Sequence, residues 1–206
     1  MAWYQYLTLI SLLFCCIVCM MHLFRLIRLG SPVDYAISGV KTGPAIAYSF
    51  TGAMNPVKKE SAYLHLPTYT AGILFHLGSF LSVIILVVQL FSPIITGFLS
   101  WPVAVFLFAS GTCGISILVK RIIKSSLRNL SSPDDYLSNI LVTLFQLATA
   151  LSLILPAAGP VYFVVSAILF LWFPFGKLRH ALYFFAARYH LGLFYGRRGV
   201  WPPKTR

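Results

Sequence analysis

The chain has 206 residues, 59% of them hydrophobic and 10% charged, with a mean hydropathy of +0.84; a soluble domain carries about a quarter charged residues, so a free-standing soluble enzyme is not expected. Its 16 Lys and Arg against 4 Asp and Glu give a net charge of +12. In so apolar a chain that excess points to a membrane surface, and nucleic acid is set aside.

Five apolar stretches reach the roughly 20 residues that cross a bilayer core of about 30 Å: 6–29, 69–91, 102–123, 136–156 and 160–185. The first ends in His22, Arg25 and Arg28. It has neither a basic stretch ahead of it nor a small-residue cleavage site, and is expected to be a true span and not a signal peptide. Ser92-Pro93 and Trp101-Pro102 separate the second span from the third. Ser132 is expected to cap the fourth, with Pro133 in its first turn, and the run from Pro156 to Pro160 opens the fifth. The expected fold is all-α: an integral membrane bundle of five transmembrane helices in a single domain over 1–206, with a loop at 30–67 and a tail at 186–206. Cys15, Cys16, Cys19 and Cys113 all lie in apolar runs and are expected to be membrane-buried thiols, with no disulfide framework.

Charge orders these spans. Residues 1–5 and the joins near 92–101 and 157–160 contain no Lys or Arg, whereas all 16 fall at the end of the first span and the loop after it, in 120–128, or from Lys177 onward. Positive charge marks the cytoplasmic side, which places the N-terminus outside and the C-terminus in the cytoplasm, with the chain in the inner (plasma) membrane. Asp34, Glu60, Asp134 and Asp135 fall on the same inner side. The loop from Gly30 to Pro67 shows no strong period, and at about 38 residues it is too short for a core of its own. No Gly-rich nucleotide loop, Cys and His cluster, or Ser, His and Asp set is present, so catalysis on a soluble substrate would belong to a partner. A small transporter is disfavoured because no span is expected to carry a buried acid or to be broken.

Ionisable groups in a span are costly and count as functional candidates. His76 lies near the inner end of the second span and His180 near the inner end of the fifth, at similar depth. Two histidines so placed on separate helices can supply both axial ligands of a haem b. The same spacing also fits two histidines that only hydrogen-bond to neighbouring helices. Gly78 would ease close approach of a macrocycle, and Lys177 and Arg179 would offer cations to its propionates.

The motifs Phe75-His76-Leu77-Gly78 and Phe173-Pro174-Phe175-Gly176-Lys177-Leu178-Arg179-His180 resemble those of the gamma subunit of respiratory nitrate reductase, a five-helix cytochrome b. Arg188-Tyr189-His190-Leu191 leading to Arg197 and Arg198 is similar to that family's basic tail. The membrane cytochrome subunits of heterodisulfide reductase and of sulfite-reduction-associated complexes share this architecture. The resemblance implies two haems between the second and fifth helices. His76 and His180 match the inner pair, but the outer pair would fall on Leu86 and Tyr162, and leucine cannot bind iron. One haem b is therefore expected. The rival arrangement adds a second on His65 and His190, each about 15 Å further inward if the helices continue, against which Pro67 interrupts the helix beside His65. His22 is expected to pack at the inner interface.

The resemblance further implies two partners, membrane quinone and a cytoplasmic iron–sulfur subunit of a multi-subunit complex. The polar, cationic stretch Ser49–Glu60 is a candidate docking surface for that subunit and equally an ordinary solvated loop beside anionic headgroups. Much of the aromatic content, including Trp3, Tyr4, Tyr6, Trp101, Tyr183, Tyr189, Tyr195 and Trp201, fits an interface belt. The expected function is a non-catalytic electron-transfer subunit. The alternative is a haem-free anchor that fastens a redox complex to the lipid bilayer.

Overall fold

A computed structural model describes residues 1–29, 35, 42–55, 64–92 and 97–203. Among these every regular element is helical. The helices are α1 (Trp3–Leu29), α2 (Gly43–Phe50), α3 (Leu66–Phe91), α4 (Ser100–Ile123), α5 (Ser125–Asn129), α6 (Pro133–Ile154), α7 (Gly159–Trp172) and α8 (His180–Arg197). α1, α3, α4 and α6 are each long and apolar enough to cross a membrane, and α7 with α8 passes that test only as a pair. The described residues thus hold four candidate spans, or five if the interrupted pair is one.

The first four expected spans match α1, α3, α4 and α6 to within a few residues. Ser132 is the N-cap of α6 and Pro133 its first residue. Asp135, three residues past the cap, accepts hydrogen bonds from the Ser132 amide at 2.9 Å and the Ser132 hydroxyl at 3.0 Å, which satisfies an amide that the helix start leaves without a partner.

The fifth span is not the continuous helix expected over 160–185. α7 stops at Trp172, a turn runs through Phe173–Gly176, a 3-10 turn covers Lys177–Arg179, and α8 begins at His180. Pro174 has no amide to donate and its ring obstructs the preceding helical turn. Gly176 then lets the chain fold back close: its amide donates to the Trp172 carbonyl at 3.0 Å, and a Cβ there would sit 2.3 Å from Trp172 Nε1 and 3.0 Å from Asp134 Oδ1. His180 is therefore the first residue of a new helix, not one late in a long span.

The described chain falls into two compact units, one of residues 1–16 and 66–178, the other of 17–65 and 179–206. In the first, α3, α4, α6 and α7 alternate in direction, as their end-to-end contacts show. Lys120 at the end of α4 donates to Thr68 at the start of α3. Arg121 reaches Asp135 at the start of α6, and Trp172 at the end of α7 donates to Asp134 at 3.3 Å. At the opposite end the Thr8 hydroxyl of α1 donates to the Phe163 carbonyl of α7 at 2.7 Å, and Tyr4 stacks on Phe163. The N-terminal end of α1 thus lies away from the cationic end of this unit.

Close helix approach depends on glycine. A Cβ on Gly78 of α3 would fall 2.0 Å from Ser110 Oγ of α4, one on Gly111 would meet Leu147 of α6 at 2.6 Å, and one on Gly114 would meet Phe75 at 2.4 Å and Thr143 at 2.5 Å. Small residues at such crossings let backbones approach where lipid removes the usual hydrophobic drive between helices. One apolar cluster, Ile85 of α3, Ala104 and Leu107 of α4, and Ala150 and Leu153 of α6, lies in the half of this unit away from the cationic end.

In the second unit part of the expected loop is folded. α2, followed by a 3-10 turn at Gly52–Met54, packs on α8, where Cβ atoms on Gly192 and Gly196 would lie 2.5 Å from the Ile46 backbone and 2.7 Å from Ala45. The buried Ser49 hydroxyl donates to the Arg188 carbonyl at 2.7 Å, so the stretch Ser49–Glu60 begins inside packed structure and not in a solvated loop. Its residues from Pro56 to Glu60 lie outside the described ones.

Gly78→Val should lower the unfolding free energy in detergent by about 1–3 kcal/mol, the usual cost of forcing atoms into a packed contact. Gly72→Ala, where a Cβ meets nothing within 4 Å, should leave the thermal midpoint unchanged or raise it. Equal losses in the two variants would contradict the packing described.

Candidate functional site

α3 carries two chemically different faces. Its inner face is locked by a buried polar group. Gln146 of α6, fully inaccessible, donates through Nε2 to the Phe75 carbonyl at 2.9 Å and the Ser79 hydroxyl at 2.8 Å. The Ser110 hydroxyl lies 2.6 Å from Gln146 Oε1 and 2.9 Å from the Leu74 carbonyl. An amide in lipid must find such partners or be strongly penalised, so this set fixes the rotation of α3 about its own axis.

That rotation turns His76 outward, where it shares an open groove of about 410 Å³ on the surface of α3 itself with Thr68, Tyr69, Gly72, Ile73 and Leu77. His76 Nδ1 is 2.7 Å from the Gly72 carbonyl. A carbonyl only accepts, so Nδ1 is the donor of this bond and Nε2 is the nitrogen left for another partner, the arrangement that orients a ligating histidine. Gly78 takes no part in this groove. It lies about 200° round the helix from His76 and is filled by Ser110, which corrects the expectation that it makes room for a macrocycle. The glycine with open space beside it is Gly72, a signal that sequence spacing of i and i+4 on a histidine-bearing helix would have shown.

The other histidines lie outside α3. His180 is exposed at the start of α8 and belongs to the second unit, whereas His76 belongs to the first. His65 is exposed just before α3. His190 is half-buried, with Nε2 3.4 Å from the Leu26 carbonyl and its ring edge-on to Tyr189. His22 and Arg179 are also half-buried. Leu86 is fully buried, and Tyr162, 1% exposed, stacks parallel to Phe145, so both positions that the resemblance assigns to outer ligands are occupied by packed side chains. Among the described residues no three His, Cys, Asp or Glu side chains gather to hold a bare metal ion.

Lys177 sits in an ion-pair cluster. Asp135 Oδ1 pairs with Lys177 Nζ and, at 3.2 Å, with Arg121 Nη1. The carboxylate side chain is 4% exposed, while Arg121 and Lys177 are 31% and 53% exposed, so two cations that reach outward neutralise one buried acid. Arg121 also donates to the Ser131 hydroxyl at 3.0 Å. Both the burial of Asp135 and the break after α7 run against the expectation that no span holds a buried acid or is interrupted. The acid is nonetheless neutralised at a helix end, unlike the midplane site of a transporter.

Comparison with family models, curated proteins and solved structures yields no match to this chain. What the fold defines is a class: a protein whose described residues form helices and no strand, four or five of the helices being long and apolar enough for a lipid bilayer.

Asp135→Asn should destabilise the protein by about 2 kcal/mol, at or below the low end for breaking a buried pair because both cations reach solvent. Asp135→Asn combined with Arg121→Gln should cost less than the sum of the two single changes, measured by thermal unfolding in one detergent. Strict additivity would show that the pair carries no coupling.

Proposed function

We propose that the chain is the membrane cytochrome b subunit of a respiratory redox complex, exchanging electrons between membrane quinone and a cytoplasmic iron–sulfur subunit through one haem b. The observation that carries this reading is His76: an exposed ring held through Nδ1 by its own helix, beside an open groove on the surface of α3. Its donor chemistry fits an axial ligand, and we assign the second to His180, with Arg179 and Lys177 as the cations for the propionates. Lys177 would serve there while paired to Asp135. When bound, the haem supplies a reversible one-electron carrier.

The chain's own contribution is placement. Gln146 sets the facing of His76, Gly72 keeps the groove open beside it, and the break at Phe173–Gly176 starts α8 with His180. Leu86 and Tyr162 fill the positions of a second, outer ligand pair, which supports a single haem. The distribution of Lys and Arg supports an N-terminus outside, a cytoplasmic C-terminus and residence in the inner (plasma) membrane. A haem-free anchor is the competing reading, and one observation favours it: the bond from His76 to the Gly72 carbonyl also satisfies a lipid-facing histidine with no ligand.

A reduced-minus-oxidised spectrum of the purified chain separates the two. One b-type haem per chain is expected, lost in both His76→Ala and His180→Ala and kept in Arg179→Gln. No b-type absorption, or a band indifferent to both histidines, leaves the anchor. Two haems per chain would bring in His65 and His190.

A further inference from the structure

α8 has opposed faces. Ala186, Gly192 and Gly196 are buried, the two glycines against Ala45 and Ile46 of α2. About half a turn away, Phe184, Ala187, Leu191, Phe194 and Arg198 recur at steps of three and four residues, and all are exposed. This spacing draws a single stripe along a helix. Arg188 flanks it with its guanidinium 5.6 Å from the centre of the Phe184 ring, and Arg198 lies 3.7 Å over Phe194. From His180 to Pro203 there is no Asp or Glu.

This composition does not suit a crossing helix. α8 alone is not apolar enough for a span, and Arg188 at its midpoint would lie deepest in hydrocarbon, where a cation is heavily penalised. It does suit the headgroup layer. Exposed Phe and Leu can enter the acyl boundary while arginines on the same side of the helix meet phosphates, the pattern of an interfacial helix. Guanidinium groups stacked on the same rings are held at the depth where headgroup anions lie.

We propose that α8 lies in the plane of the bilayer surface and binds anionic phospholipid headgroups through Arg188 and Arg198, anchored by Phe184, Leu191 and Phe194. The occupant of this face is lipid; a second copy of the chain or a soluble subunit is an outcome of the test. The proposal uses no haem and stands or falls independently of the reading above.

The full chain is placed in nanodiscs of phosphatidylcholine alone, or with about a third phosphatidylglycerol, a content that raises surface affinity about five-fold per basic residue. Trypsin cleavage after Arg197 is then followed by mass spectrometry. Cleavage should be at least about ten-fold slower in the anionic discs. Arg188→Gln combined with Arg198→Gln, which leaves the Arg197 site intact, should erase the difference between lipids, and Phe194→Ser, with every charge in place, should reduce it. Equal fast cleavage of the wild-type chain in both discs overturns the proposal. Equal protection in both points to a protein covering the face and overturns it too, as does protection that survives the arginine changes.

Discussion

In lipid, helices gain little by hiding apolar surface from a solvent that is itself apolar. The first unit of this protein depends instead on backbones brought close at Gly78, Gly111 and Gly114 and on one buried amide, Gln146, that takes up a carbonyl of α3 and hydroxyls of α3 and α4. The direction in which α3 faces follows from that amide. So does the outward turn of His76, beside which the groove on α3 lies.

The second determinant is electrostatic. Asp135 caps α6 and at the same time holds Arg121 from α4 and Lys177 from beyond the break. One carboxylate therefore does three structural jobs: it closes the start of a helix, ties the end of another, and pins the segment just after Pro174. Such convergence explains why a charge is retained inside a chain that has only four acids.

Much of the architecture could be read from the residues. Apolar length located α1, α3, α4 and α6, and Ser132 with Pro133 marked the start of α6, because span length and capping are local properties. The interruption at Phe173–Gly176 was written in Pro174 and Gly176, but hydropathy alone runs through it, since the flanking residues are apolar on both sides. The packing of α2 on α8 depends on Gly192 and Gly196 meeting Ala45 and Ile46, a pairing across more than a hundred residues that no local pattern reports. At the site, His76 stood out as an ionisable group in a span, whereas Gly78 was expected beside it and Gly72 drew no attention. Spacing says which residues are near His76 in sequence, and only the orientation set by Gln146 says which share its face.

That orientation has a consequence for how α3 can vary. Between the Phe75 carbonyl and the Ser79 hydroxyl, both held by Gln146, the chain makes one helical turn, and His76 sits within it. Each added or deleted residue would rotate the N-terminal part of α3 by about 100° relative to the C-terminal part. The segment therefore behaves as a keyed shaft: side chains on it can be exchanged, but its residue count cannot change without withdrawing His76 from the groove or detaching α3 from Gln146.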